Sequence, residues 1–208
     1  MADLEKEIMK GTTTVGITFN GGVVLAADKR ATMGTFIAAK DVEKIHFLGD
    51  KVALTIAGGV GDAQSLVRLM RAELELYKYG KGRELTIKGA GTLLSNVLQG
   101  NKYYPYFVQL IIAGYDTQPR LFDLDLTGGL LSEEYVSTGS GSVVAYGLLD
   151  AGFKKNMKED DAVKLAVKAV YAAMKRDNAT GEGVDAIVIT KNGGKRISPA
   201  ETKAIAEG

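Results

Sequence analysis

Residues 10–19 read KGTTTVGITF, and the fold of the chain turns on how that stretch is taken. Threonine is β-branched, stiff at χ1 and at home on a pleated surface, so TTTVGITF reads as an opening β-strand after ten residues of different character. A chemical reading stands beside the structural one. If the bond between Gly11 and Thr12 is cut, Thr12 gains a free amine beside its own hydroxyl, and the nucleophile then carries its base with it. A threonine hydroxyl needs such a base at neutral pH, and an α-amine with a reference pKa of about 8 is better poised than a lysine near about 10.4. Gly11 suits a cleavage of this kind, because a residue without Cβ tolerates the distorted backbone that lets the hydroxyl reach the Gly11 carbonyl. Residues 1–11 would then be a removable leader, and residues 12–208 a single catalytic domain.

Outward from this stretch the chain reads as a sheet builder. Thr13 to Phe19 and Val23 to Ala27 are β-rich runs joined by Asn20-Gly21-Gly22, which predicts a hairpin. Phe36 to Ala39, Ile45 to Leu48 and Val52 to Ala57 are further strand candidates. From Asp62 the period changes: Leu66, Val67, Met70, Leu74 and Tyr77 fall on one helical face. A second helix is expected from Ile87 to about Leu98, ending at Gly100-Asn101. Tyr106 to Tyr115, Arg120 to Asp125 and Leu130 to Thr138 read as three more strands. Two helices are expected after Ser140-Gly141-Ser142, the first through Phe153 and the second ending near Arg176-Asp177. Strands Val184 to Thr190 and Lys195 to Ile197 close the domain. Runs of strands separated by pairs of helices favour an α+β fold with two antiparallel sheets under helical layers, not a parallel β-α alternation.

Composition removes several function classes. With 208 residues, 46% hydrophobic and 25% charged, the chain has the make-up of a soluble globular domain, and no apolar run approaches a membrane span. Twenty-six basic residues balance twenty-five acidic ones, giving a net charge of +1 with no basic block for a phosphate backbone, so neither nucleic acid nor membrane is an expected partner. There is no cysteine, hence no disulfide, thiolate site or cysteine nucleophile, and the first ten residues lack the apolar stretch of a signal peptide. A cytoplasmic location is expected, which leaves the sequon Asn178-Ala179-Thr180 without consequence. The single histidine, His46, sits between Ile45 and Phe47 and reads either as a packed or pocket-wall residue or as a general base. One histidine, no cysteine and an incomplete Asp123-Leu124-Asp125 run imply no metal and no cofactor. The turn Gly58-Gly59-Val60-Gly61 between strand and helix reads either as a tight turn or as a place where backbone approaches substrate and an N–H stabilises a developing oxyanion.

Four stretches taken together, TTTVGITFNGGVVLAADKRATMG (12–34), EKIHFLGDKVALTIAGGVGDAQSLVR (43–68), STGSGSVVAYGLLD (137–150) and AMKRDNATGEGVDAIVIT (173–190), resemble the β subunits of the archaeal-type proteasome core. These belong to the N-terminal nucleophile hydrolases. The resemblance runs from Thr12 to about Ile197 and implies the four-layer αββα sandwich of that family. It implies a threonine endopeptidase whose Thr12 is exposed by self-cleavage after Gly11. Asp28 and Lys44, each sixteen residues on from the previous member, match the family's acid and lysine; a structural ion pair is the alternative. Lys44 beside Thr12 would lower the pKa of the amine, and Asp28 would keep the lysine charged and fixed. Ser140 and Asp177 match partners of the terminal threonine, Thr180 stands where the family often has serine, and Gly58 matches the oxyanion-hole residue. Thr32 and Gly58 match positions that hold an extended substrate through main-chain bonds. Ala31, Val42, His46, Ile56 and Val60 match the wall of the first specificity pocket, mostly apolar, which implies cleavage after hydrophobic residues.

The implied assembly is a pair of seven-membered β rings enclosed by rings of α subunits, fed with unfolded polypeptides by an ATP-dependent unfoldase. Three rivals are distinguishable from it: a catalytically silent β subunit, the simpler bacterial peptidase of two six-membered rings, and a small-molecule or nucleotide-binding module built on the Gly58 to Gly61 turn.

Overall fold

The computed structural model describes residues 11–208, so the expected leader lies outside the described residues save for Gly11. The hairpin forms as the turn chemistry requires: β1 (Thr14–Phe19) pairs antiparallel with β2 (Gly22–Asp28), and Gly21 takes a φ of +99° at the bend. With β10 (Tyr135–Thr138), β11 (Val184–Thr190) and β12 (Gly193–Arg196) this hairpin builds a five-stranded sheet in the order β10-β1-β2-β11-β12. A second five-stranded sheet, in simple sequence order, contains β5 (Ile45–Gly49), β6 (Val52–Gly58), β7 (Val108–Tyr115), β8 (Pro119–Leu124) and β9 (Leu130–Ser132). Every pairing in both sheets is antiparallel. A short ribbon of β3 (Ala31–Met33) and β4 (Phe36–Ala39) stands between them in sequence.

Strand alternation explains the layering. Along β2, Val23, Leu25 and Ala27 enter one hydrophobic cluster and Val24 and Ala26 another; along β11, Ile187 and Ile189 separate in the same way from Ala186 and Val188. Ile111 and Ala113 of β7 meet Leu25 and Ile187 in the cluster between the sheets, while Leu110 and Ile112 face outward. The outer faces are then capped by helices. α1 (Val60–Lys81) and α2 (Ile87–Gly100) cover the second sheet with Leu66, Met70, Leu94 and Leu98. α3 (Ser142–Gly152) and α4 (Glu159–Met174) cover the first with Ala145, Leu149, Ala166 and Val170. Because β2 is buried on both faces over its whole length, it reads as a continuous apolar run until Asp28. The result is the helix–sheet–sheet–helix architecture of an α+β fold.

Three differences from the sequence reading have physical causes. The expected strand Leu130 to Thr138 is two strands in different sheets, β9 against β8 and β10 against β1. The crossing is made at Glu133-Glu134, where Glu133 N–H donates to the Leu121 carbonyl at 3.1 Å and the Glu134 carbonyl accepts from Thr18 N–H at 2.8 Å. A ninth-to-tenth strand crossover of two residues satisfies one backbone group on each sheet, which alternation alone does not reveal. Ala31–Met33 pairs as β3 although its composition is unremarkable. The chain also ends in a helix, α5 (Pro199–Glu207), whose N-cap Ser198 accepts from Glu201 N–H at 3.3 Å.

Candidate active site

Thr12 lies just before β1, where the chain enters the first sheet, and is 4% exposed. Its hydroxyl is in close contact with the Gly11 carbonyl oxygen. Gly11 itself has a φ of +129°, and a Cβ there would overlap the Thr32 hydroxyl. A side chain at Gly11 would therefore be strained by its conformation and would displace the Thr32 hydroxyl.

Asp28 ends β2, directly beside the start of β1, and is buried. Its Oδ1 accepts from Thr13 N–H at 2.9 Å and from Lys44 Nζ at 2.8 Å; its Oδ2 accepts from Gly181 N–H at 2.9 Å and from Arg30 N–H at 3.1 Å. These four donors use the roughly four lone-pair positions a carboxylate has. Lys44, in the segment leading to β5, is 5% exposed. Its ammonium has three acceptors: Asp28 Oδ1, the Arg30 carbonyl at 2.6 Å and the Gly11 carbonyl at 3.4 Å. Burial lowers the pKa of Lys44 below the ordinary lysine value, and the Asp28 carboxylate offsets part of that effect.

A second branch reaches Thr12 from the other side. Thr12 N–H lies 3.5 Å from the Ser140 hydroxyl, which donates to Asp177 Oδ2 at 2.5 Å. The same Asp177 oxygen accepts from the Thr180 hydroxyl at 2.6 Å, and Thr180 meets the Thr13 hydroxyl at 2.7 Å. Thr180 is fully buried, so its methyl is accommodated without loss of either contact. Gly139, at φ +90°, lies so close to the Thr12 carbonyl that a Cβ would overlap it.

A cavity of about 770 Å³ opens beside Thr12. Ala31, Thr32, Val42, Lys44, His46, Ile56, Gly58 and Val60 all line it, so the expected wall residues are brought together around the threonine. His46 is a wall residue whose pKa is lowered mainly by burial, with Glu43 Oε2 3.7 Å from its Nδ1 pulling the other way. Gly58 ends β6 opposite Val108, with a φ of +128° and no room for a Cβ against the Phe107 carbonyl. On its other side the pairing with β5 begins at Ile45 opposite Thr55 and is extended by Ile56 N–H donating to the Lys44 carbonyl at 3.0 Å, so over Ala57–Gly58 β6 is paired with β7 alone, at the mouth of the cavity.

The proteasome subunit family matches residues 8–189. The "Proteasome subunit beta" of Methanoculleus marisnigri is 52% identical over 194 residues, covering 92% of this chain and 91% of its own length. That of Methanocorpusculum labreanum is 50% identical over 193 residues, with coverage of 92% and 91%. The "Proteasome subunit beta 2" of Pyrococcus furiosus is 48% identical over 196 residues, with coverage of 94% and 95%. The chain belongs to the proteasome family, as a β-type subunit.

Several residues of this proteasome site gave no sign in the sequence. Thr13 looks like any strand threonine, yet it joins Asp28 to Thr180. Gln109 reaches from β7 of the second sheet and accepts from Gly139 N–H at 2.8 Å, fixing the turn that carries Ser140. Met33, Asp41, Glu43 and Gln64 share the cavity with the expected wall. Among the described residues, no helix is long and apolar enough to cross a membrane.

Proposed function

We propose that this chain is a threonine-type endopeptidase subunit, with Thr12 as nucleophile once residues 1–11 have been removed. The observation that carries the reading is the meeting of the Thr12 hydroxyl, the Gly11 carbonyl and the Lys44 ammonium at one buried point. In self-cleavage the Thr12 oxygen adds to the Gly11 carbonyl carbon and the C–N bond breaks. The amine is freed as the leader becomes an ester, and water then hydrolyses that ester to release a carboxylate at Gly11. Loss of Gly11 also removes the third acceptor of Lys44, leaving that N–H to face Thr12.

In turnover the Thr12 hydroxyl attacks a peptide carbonyl while its proton passes to the new α-amine. Lys44, its pKa lowered by burial, disfavours protonation of that amine, and Asp28 fixes Lys44 in place. The Ser140–Asp177–Thr180 chain holds the terminal residue. Gly58 N–H supports the tetrahedral oxyanion, a contribution of about 2.7 to 4 kcal/mol for one donor in comparable sites. The leaving amine takes the proton, and water resolves the acyl ester on Thr12. Thr32 and Gly58 hold the substrate strand, and the apolar wall of Ala31, Val42, Ile56 and Val60 favours cleavage after hydrophobic residues.

Family membership supports assembly in a proteasome core with α subunits. We place the chain in seven-membered β rings that enclose the sites in a cytoplasmic particle and receive unfolded polypeptides from an ATP-dependent unfoldase. The test is to co-assemble the chain with its α partner, weigh the β chain intact, and follow hydrolysis of a short peptide ending in a hydrophobic residue. Mature chains beginning at Thr12 and activity abolished by Thr12→Ala are expected. A particle that digests peptide while still carrying residues 1–11 would overturn the proposal.

A further inference from the structure

Glu182 stands in a backbone conformation that its side chain disfavours. Its φ is +67°, and it follows Gly181 and precedes Gly183, which has a φ of +105°. A non-glycine residue held in the left-handed region persists only where its surroundings over-determine it. A third glycine would sit there without strain, yet the chain carries a carboxylate, and that carboxylate accepts from Arg30 Nη2 at 3.2 Å.

Arg30 grips the loop around Glu182 at three points. Nη2 holds Glu182, Nη1 donates to the Asn178 carbonyl at 2.6 Å, and the guanidinium lies so close over Gly181 that any Cβ there would overlap it. The loop so held donates Gly181 N–H to Asp28 at 2.9 Å and accepts Lys29 N–H at the Gly181 carbonyl at 3.0 Å. The main chain of Arg30 meanwhile donates to Asp28 and accepts from Lys44. One residue therefore touches the Asp28–Lys44 pair through its backbone and the loop that buttresses Asp28 through its side chain. Glu182 does not line the Thr12 cavity; it borders a separate one of about 340 Å³ near α5.

The geometry points to a positioning role for the Arg30–Glu182 pair: it clamps loop 178–181 against Asp28 and so sets where the Lys44 ammonium sits relative to the Thr12 hydroxyl. This inference rests on the Thr12 reaction proposed above. The side chains of the pair are only 21% and 24% exposed, so the clamp is sheltered from water. Its value lies in geometry, since a displacement of about 1 Å at a reacting group can cost about 10²-fold in rate.

The test compares Glu182→Gly, which relieves the backbone and removes the carboxylate, with Glu182→Gln, which keeps an acceptor of the same length. In the assembled particle, with a short peptide substrate, Glu182→Gly is expected to lower kcat by about 10-fold with KM held within about twofold and no drop in melting temperature. Glu182→Gln is expected to recover most of that loss. A pair with a structural role alone would leave the glycine variant as active as the parent, because glycine suits the φ at this position. A kcat for Glu182→Gly within about twofold of the parent, or a loss that appears only with lowered melting temperature or failed assembly, overturns the clamp. Thr12→Ala is run beside them. If it is silent while Glu182→Gly runs at the parental rate, the clamp alone falls; if Thr12→Ala digests peptide, the clamp and the nucleophile assignment fall together.

Discussion

The two sheets bring different material to the site. From the ends of the first sheet and the loop between α4 and β11 come Thr12, Asp28, Ser140, Asp177 and Thr180, joined with Thr13 by hydrogen bonds into a polar network in which Thr12, Asp28 and Thr180 are buried. From the second sheet and the segments flanking it come mainly walls: Val42, His46, Ile56, Gly58 and Val60 around an open cavity. Lys44 crosses the divide, arriving just before β5 of the second sheet but bonding into the first sheet's network. The difference teaches where damage should spread. A buried polar group stranded by loss of its partner costs far more than a wall side chain trimmed beside water.

The largest effect is therefore expected at Thr12. Thr12→Ala should bring peptide hydrolysis to background and leave residues 1–11 attached, read by turnover and intact mass. Lys44→Met comes next, with a fall in kcat/KM of about 10²- to 10⁴-fold, the range of general acid–base effects; a rate within about threefold of the parent would remove Lys44 from the chemistry. Gly58→Ala is the sharpest challenge to the comparison because it lies on the wall side yet is expected to behave like the network. Its φ of +128° and the Phe107 carbonyl leave no room for a methyl, so a rate loss of about 10²-fold and a lowered melting temperature should come together.

A smaller effect separates burial from ion pairing at Lys44. Its pKa in the folded chain is lowered, so between that depressed value and the ordinary lysine value of 10.5 the unfolded chain binds the additional proton. Stability then rises with pH through that window. The melting temperature of the parent relative to Lys44→Met should climb from neutral toward alkaline pH, and a falling difference would mean that Asp28 outweighs burial. Least of all should follow from Val60→Ala, a half-exposed wall residue: KM changed severalfold for peptides ending in large apolar residues, kcat within about threefold, and stability altered by about 0.5 kcal/mol or less.

Much of the fold was legible because both periods are strong. Leu66, Met70 and Leu74 repeat as a helix must, and the Asn20-Gly21 turn declares its hairpin. The final helix has a local signal of its own: Ser198-Pro199-Ala200-Glu201 is a capped, proline-started helix opening. The split of Leu130 to Thr138 was not legible, since a strand that changes sheets keeps its composition. At the site, Gly11-Thr12 could be singled out by chemistry, and the resemblance named Asp28, Lys44 and the wall. Thr13, Arg30, Gln109 and Glu182 stayed hidden, because hydrogen-bonding residues of common types acquire a role only from what stands across from them.

The sequence by itself determined most of the strand-and-helix order and marked Thr12 as a candidate to carry hydroxyl and amine on one residue, for both depend on local period and local chemistry. Tertiary structure alone decided which sheet each strand joined and which donors saturate Asp28. Those outcomes depend on groups distant in the chain, such as Asp28 and Gly181, 153 positions apart, whose meeting is set by the antiparallel pairing of β2 with β11 in the first sheet.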